Sequence, residues 1–173
     1  MQVFLIPKER VDDLLNSNLI QRVEESCKCK ITVKENQIVI ESDDNYKEYL
    51  AKNILLAFGR GFNEKDALLL LNDDYYLSII DIESYTKNKK RIQQIKARII
   101  GSKGRAKKYI ESFTSTKISV YGNTVSIIGK EENIEEAEEA IKALIEGHKH
   151  ETAYRRMQER YRKNSLTSNF LFS

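Results

Sequence analysis

The chain has 173 residues, with 29 Lys and Arg, 26 Asp and Glu and 40% hydrophobic residues, which is typical of a folded globular protein and not of a disordered or fibrous one. No apolar run reaches the roughly 18 residues of a membrane span. The start of the chain lacks the basic leader of a secretory signal, and the two cysteines are too few for a disulfide framework. We therefore expect a cytoplasmic protein. Residues 1–84 carry 10 basic and 16 acidic side chains (net −6) and residues 85–173 carry 19 and 10 (net +9), which predicts that the second half faces a polyanion, unless the two surfaces are merely solvated.

The first sixty residues predict a strand, two helices, a hairpin and a third helix. Residues 3–6 form a short apolar strand, and apolar residues at helical spacing follow around 19–23. Apolar and polar residues then alternate over 31–40 around a polar turn, which is the pattern of a β-hairpin. A longer helical pattern over 46–54 completes this set.

The rest of the chain predicts the same elements after a linker. Residues 61–74 have an asparagine N-cap followed by acids, so we expect a linking helix there. A strand over 77–82, two helices and a hairpin over 118–127 follow. The pattern then predicts one long helix over 131–162, and residues 164–173 are expected to form a flexible tail.

The two sets of elements align when the sequence is shifted by 87 positions. Residues 30–33 (KITV) fall on residues 117–120 (KISV), and the helices on either side of each hairpin align in the same register. We therefore predict an α+β fold made of two β-α-α-β-β-α units packed together, over residues 1–60 and 75–163, with a long C-terminal helix.

The most basic segment surrounds a short glycine turn, Gly101-Ser102-Lys103-Gly104. Glycine lets another backbone come close, and the amides at the start of the next helix are expected to face a ligand there. No acid occurs between residues 86 and 110, so the surrounding charge favours a polymer of phosphates. Alone, G-x-x-G is a weak signal, because any helix-helix turn can require glycine. The segment contains ten basic residues: Lys87, Lys89, Lys90, Arg91, Lys96, Arg98, Lys103, Arg105, Lys107 and Lys108.

This element order with G-x-x-G between the first two helices resembles the KH (K homology) domain family, type I. The resemblance implies that the turn clamps about four nucleotides of a single strand and that an apolar groove holds their bases. Carried onto this sequence, it implies that the turn is Gly101, Ser102, Lys103 and Gly104 and that the groove includes Ile99, Ile100, Ile118 and Val120. The cations that we expect to contact RNA around them are Arg91, Lys96, Arg98, Arg105, Lys107 and Lys108. Tyr109, Tyr121 and Phe113 are further candidates for stacking on bases, although Phe113 is more typical of a core position.

Four segments narrow the resemblance: residues 3–10, 98–101, 118–125 and 150–155. They are similar to the archaeal relatives of the eukaryotic pre-ribosomal KH protein called partner of Nob. The resemblance implies binding of small-subunit (16S) rRNA near its 3′ end during ribosome assembly. It also makes translation initiation factor two and a processing nuclease candidate protein partners. A protein-interaction scaffold that recruits such a partner, with RNA contact secondary, is the alternative function.

The first unit departs from the family pattern, because residues 14–17 (LLNS) occupy the register of the glycine turn. Both glycines and the lysine are missing, so we expect a degenerate KH unit that serves packing or protein binding.

No enzyme, metal site or cofactor is expected from this sequence. Cys27 and Cys29 lack partners at zinc-ligand spacing. His148 and His150 are predicted to lie exposed on the last helix, and no nucleophile-base set can be assembled from two such histidines.

Overall fold

The first half of the chain forms three helices and a three-stranded antiparallel sheet in the computed structural model, which describes residues 1–172. The strand order is β1-β3-β2, so the second strand of the hairpin is central in the sheet. This unit has the predicted β-α-α-β-β-α order. Its elements are β1 (Gln2–Leu5), α1 (Lys8–Asn16), α2 (Leu19–Cys27), β2 (Lys30–Lys34), β3 (Gln37–Glu41) and α3 (Asn45–Gly59).

The core of this unit follows the sequence periodicity. Leu19, Val23 and Cys27, which are four residues apart on α2, are all buried. Ile38 and Ile40 alternate on β3 and are also buried. The helical and strand patterns thus place their apolar residues on the sides that face each other.

The segment predicted as a linking helix is helical in two short pieces. These are α4 (Glu64–Ala67) and a 3-10 helix (Leu68–Leu71), and both pack on α3. The Asn63 side chain caps α4 by accepting the Asp66 amide at 2.8 Å. The segment lies within the first of two compact units, Met1–Leu77, so it belongs to that unit.

The second unit repeats the order and adds a helix. Its sheet order is β4-β6-β5, which matches the first unit strand for strand. The predicted fold class, two KH-type units with a long C-terminal helix, is confirmed. The elements are β4 (Tyr75–Asp81), α5 (Lys89–Ile100), α6 (Arg105–Thr114), β5 (Lys117–Tyr121), β6 (Thr124–Lys130), α7 (Glu131–Ile145) and α8 (His150–Phe172).

The single long helix predicted over residues 131–162 is wrong, because α7 ends at Ile145 and α8 starts at His150. Gly147 has φ +94° and donates its amide to the Leu144 carbonyl at 3.1 Å. The next amide, that of His148, donates to the Ala143 carbonyl at 3.0 Å. This pair of bonds with a left-handed glycine is the Schellman motif, which ends a helix.

The residues predicted as a flexible tail continue α8 to Phe172. No glycine or proline interrupts this helix, and polar contacts hold it along α7. Arg160 donates to the Glu135 carboxylate at 2.8 Å, and the Asn164 amide donates to the buried Glu136 carboxylate at 3.2 Å. The boundary expected at residue 164 is therefore not a boundary of secondary structure.

One carboxylate-to-amide bond is repeated in the two units. Glu24 Oε1 accepts the Ile31 amide at 2.8 Å, and Glu111 Oε2 accepts the Ile118 amide at 3.0 Å. Glu24 and Glu111 are 87 positions apart, and so are Ile31 and Ile118. In each unit the bond ties the second helix to the first strand of the hairpin, so it belongs to the fold that the units share.

The units differ in length before the second helix. The Ile6 amide donates to the Asn36 carbonyl at 3.0 Å, and the Ile82 amide donates to the Asn123 carbonyl at 2.9 Å. The two isoleucines are 76 positions apart and the two asparagines 87, so the second unit has 11 more residues between its first strand and its second helix. Those residues extend the segment before the first helix, lengthen that helix from 9 residues in α1 to 12 in α5, and form the glycine turn.

Replacing Glu111 tests the repeated bond. Glu111→Ala should lower the free energy of unfolding by about 1–3 kcal/mol, because the Ile118 amide loses its partner. Glu111→Gln keeps an acceptor oxygen and loses only the ion pair with Lys107, so it should cost less than about 1 kcal/mol. Urea unfolding of the three proteins measures both values. Equal stability of the alanine variant and the parent would contradict the assignment.

Candidate nucleic-acid interface

Helix α5 presents its cations to solvent because its apolar residues are in the core. Ile92, Ile95 and Ile99 share one face of α5 and are buried. The Asn88 side chain caps the helix by accepting the Arg91 amide at 3.1 Å. The side chains between these isoleucines, most of them basic or amide, therefore lie on the outer surface.

The glycine turn (residues 101–104) brings α5 and α6 into contact. Gly101 has φ 76° and ψ 173°, a backbone region that only glycine occupies readily. A Cβ on Gly101 would lie 2.6 Å from the Ala106 Cβ, so α6 begins directly against this glycine. Gly104 has φ 74°, but a Cβ there would meet nothing within 4 Å. Gly101 is therefore required by the fold, whereas Gly104 leaves open space that another molecule can approach.

The backbone amide of Gly104 is already used inside the turn. It donates to the Gly101 carbonyl at 3.1 Å, and the Gly101 amide donates to the Ala97 carbonyl at 2.8 Å. The expectation that the Gly104 amide points at a ligand is therefore wrong. The exposed groups at the turn that can contact a phosphate are the side chains of Ser102, Lys103 and Arg105.

Most of the basic segment is exposed and without an acidic partner. Lys107 Nζ lies 3.4 Å from a Glu111 carboxylate oxygen, so its charge is partly balanced. Among residues 1–172, the other nine cations of the segment form no ion pair with an acid. Lys96 is half-buried, and Lys103, Arg105 and Lys108 are exposed. The charge around the turn is thus available to a polyanion.

Arg98 has a structural role that the sequence did not reveal. Its Nη2 donates to the His148 carbonyl at 2.7 Å, and His150 Nε2 lies 2.8 Å from the Arg98 carbonyl oxygen. In the first unit, Arg10 likewise donates to the Phe62 carbonyl at 3.0 Å, just after the glycine that follows α3. Because the unit without a glycine turn makes the same bond, Arg98 belongs to the shared fold.

The two histidines are placed by these contacts. His148 lies in the link between α7 and α8, not within a helix, and His150 starts α8. Both are half-buried, so their prediction as exposed helix residues is corrected.

The expected apolar groove is smaller than the resemblance implies. Ile99 and Ile118 are buried in the core of the second unit, with 0% and 3% exposure, and do not line its surface. Ile100 is 36% exposed at the end of α5, and Val120 is partly buried on β5. Ile118 and Val120 lie on the same face of β5, which packs on the core, but Val120 is only partly buried there.

Two of the aromatic residues offered for base stacking pack against α8. The ring centroid of Tyr109 lies 4.5 Å from that of Tyr154, and the centroid of Phe113 lies 5.4 Å from that of Tyr161. Burial, with a smaller contribution from Tyr109, raises the pKa of Tyr154. No local sequence pattern indicates these contacts, because the paired rings are more than 40 residues apart. Tyr121 is half-buried on β5.

The first unit has no such turn. Helix α1 continues to Asn16, and Leu14, which occupies the register of Gly101, is fully buried. The Ser17 hydroxyl donates to the Leu14 carbonyl at 2.7 Å and accepts the Leu19 amide at 3.2 Å, so a single serine closes the connection. This region offers no cradle for a phosphate.

The structure also bears on metal binding and on insertion into a membrane. Within the described residues, no group of three or more His, Cys, Asp or Glu side chains is arranged to hold a metal ion. Burial and the nearby Cys27 and Glu24 raise the pKa of Cys29 to about 11, which keeps this thiol neutral. Over residues 1–172, no helix has the length and apolar character required to cross a membrane.

Known proteins share this fold. A family model of the second KH domain of PNO1, described as a eukaryotic type KH domain (KH-domain type I), matches residues 76–162. A KH domain-containing protein of Methanocaldococcus jannaschii is 36% identical over 170 residues, which covers 94% of this chain and 75% of that protein. The pre-rRNA-processing protein PNO1 of Chaetomium thermophilum is 32% identical over 130 residues, 70% of this chain and 50% of that protein.

A solved structure extends the similarity to a complex. The structure of an a/eIF2alpha–aDim2p–rRNA complex from Pyrococcus horikoshii matches with a TM-score of 0.82 and 34% identity. The match covers 94% of this chain and 94% of that one. The fold, the basic glycine turn and these matches define the class as KH-domain RNA-binding proteins. Within that class, the chain belongs to the PNO1-type KH-domain family.

The two glycines of the turn should respond differently to alanine. Gly101→Ala should lower the free energy of unfolding by on the order of 3 kcal/mol, because it adds both an overlap with Ala106 and a disfavoured backbone conformation. Gly104→Ala should cost only about 1–2 kcal/mol, the price of a positive φ. Gly104→Asn should cost less, because asparagine tolerates that region. Chemical unfolding measures all three, and equal losses at the two glycines would show that the described contact is absent.

Proposed function

We propose that this protein binds single-stranded RNA through the glycine turn of its second unit, and that the RNA is small-subunit rRNA near its 3′ end during ribosome assembly. The observation that carries the proposal is the exposed pair Lys103 and Arg105 beside Gly104, where no atom would contact a Cβ. The similarity to a protein solved with rRNA supports the choice of RNA.

In this proposal, the turn holds the phosphate backbone and the groove holds the bases. The open surface at Gly104 admits the backbone, and the charges of Lys103 and Arg105 neutralise phosphates. The exposed part of Ile100 and the edge of Val120 offer apolar contacts to bases. The protein acts by holding RNA and not by catalysis. An rRNA partner also implies the cytoplasm in an archaeal cell.

We assign the RNA affinity to residues 75–163 and a supporting role to residues 1–60. The first unit replaces the turn by a buried leucine and has exposed Asp12 and Asp13 in that place. These acids repel phosphate, so this surface does not favour RNA.

A second candidate function is a scaffold that recruits a processing nuclease or translation initiation factor two. It is favoured by the same Pyrococcus structure, which contains a/eIF2alpha besides RNA. The full chain should bind the α subunit of that factor with unchanged affinity when the turn cations are reversed, if the protein site is separate. Loss of both ligands together would show instead that factor binding depends on the turn or on RNA.

Reversing the turn charges tests the RNA site. Lys103→Asp with Arg105→Asp should weaken binding to every RNA sequence, and it should flatten the dependence of log K on log salt by about one to two units, since each phosphate contact on a single strand contributes about 0.7. Fluorescence anisotropy with a labelled single strand at several salt concentrations gives the slope.

The matched control is Lys34→Asp with Lys65→Asp, two exposed lysines of the first unit. It changes the net charge equally, so it should reduce affinity slightly and leave the slope close to that of the parent. If the two double variants behave alike, only the overall charge matters and the turn is not the phosphate site.

A further inference from the structure

A second groove lies between α5 and the end of α7, on the surface of the RNA-binding unit. Its volume is about 440 Å³. Ala97 is the exposed apolar residue of its lining and lies beside the buried Ile95 and Leu144. The lining also includes Arg91, Gln94, Arg98 and Gly147. We name it the α5–α7 groove. Its lining is mainly apolar with two guanidinium groups, and such a combination suits a nucleobase attached to a phosphate.

Arg91 is the side chain that makes this groove basic. A Cβ on Gly147 would lie 3.5 Å from Arg91 Nη2, so the guanidinium is next to a residue that has no side chain. Arg91 forms no ion pair in the part of the chain that the structure describes. Glu146, which precedes Gly147, lies 3.5 Å from the Arg156 guanidinium, so that cation already balances its charge.

Comparison of the two units separates Arg91 from the fold. Arg98 has a counterpart in Arg10, which makes the same bond to a carbonyl after the third helix. Arg10 and Arg98 are 88 positions apart. The residue 88 positions before Arg91 is Val3, which lies in β1. The first two turns of α5 therefore have no equivalent in the first unit. They occur only in the unit that has the glycine turn, and they supply the arginine edge of the groove.

The groove and the glycine turn both lie along α5, the groove beside residues 91–98 and the turn at the end of the helix. Ten residues of helix separate Arg91 from Gly101, which corresponds to about 15 Å. A strand with phosphates spaced as in a duplex, 3.4 Å apart, covers that length in about four to five nucleotides, and a stretched strand needs fewer. Ala97 lies on this path, is exposed and is small, so it does not obstruct the surface.

We propose that the α5–α7 groove holds a nucleotide of the RNA strand that continues beyond the glycine turn. Its base packs over Ala97, and the Arg91 guanidinium stacks on the base or contacts its phosphate. This inference rests on the proposed function. It adds a second subsite to the turn, which by itself holds about four nucleotides.

The test compares RNA lengths on the full chain. Single strands of about four nucleotides occupy only the turn, whereas strands of about ten also reach the groove. The parent protein should bind the longer RNA more tightly than its extra charge alone explains. Ala97→Phe fills the groove without changing charge and should remove that gain, with a loss of about fivefold to a hundredfold, the range for one stacked base.

A charge-matched pair tests Arg91 separately. Arg91→Gln and Lys90→Gln each remove one exposed cation from the first turn of α5. Both variants should bind the short RNA slightly more weakly than the parent, and to the same extent, because each removes one positive charge from the surface. Only Arg91→Gln should cause an additional loss, about tenfold, with the long RNA. Urea unfolding of both variants shows whether Arg91→Gln also destabilises the neighbouring end of α7.

The outcomes distinguish the two proposals. If Ala97→Phe and Arg91→Gln both bind the long RNA as well as Lys90→Gln does, the groove does not hold RNA and the inference is overturned, while short-RNA binding still supports the proposed function. If the parent protein fails to bind the short RNA but binds the long one in a manner sensitive to Ala97→Phe, the groove stands and the turn assignment fails.

Discussion

The close contact between Gly101 and the start of α6 is the constraint on which the proposed RNA-binding surface depends. No Cβ fits between this backbone and Ala106, so the two helices meet with almost no intervening chain. Because α5 and α6 are held this near, the residues between them have no space in the core and project into solvent. Lys103 and Arg105 are exposed for that reason, and the open side of Gly104 lies beside them. The surface that can take RNA is thus a consequence of a packing requirement.

The duplication within the chain separates what the fold requires from what the site requires. Bonds present in both units, such as those of Glu24 and Glu111 or of Arg10 and Arg98, stabilise the β-α-α-β-β-α unit whether or not it binds RNA. Features present in the second unit alone are the glycine turn, the longer first helix with its cations, and α8. By this criterion Arg98, which family resemblance assigns to RNA, is a positioning residue that fixes the link between α7 and α8.

Helix α8 completes the second unit and limits where RNA can go. It packs along α7 and also contacts α6, where Tyr154 and Tyr161 face Tyr109 and Phe113. These rings pack against each other, but Tyr109 remains 39% exposed, so α6 offers its cations and one accessible ring to a ligand. The consequence is a surface where charge provides most of the attraction, in keeping with backbone contacts that are independent of sequence.

The element order, the duplication, the glycine turn and the charge asymmetry can all be predicted from the sequence. They follow from strand alternation, helical spacing, repeated segments, and the positions of glycines and charges along the chain. Which of the candidate residues reach the surface depends on tertiary packing. Ile99 and Ile118 fit a groove by pattern, but they are buried because each lies on the side of its element that faces the core. The break at Gly147, the commitment of Arg98 to the His148 carbonyl and the aromatic contacts of α8 join residues far apart in the chain. No local pattern encodes such pairings, because they depend on how the elements pack against one another.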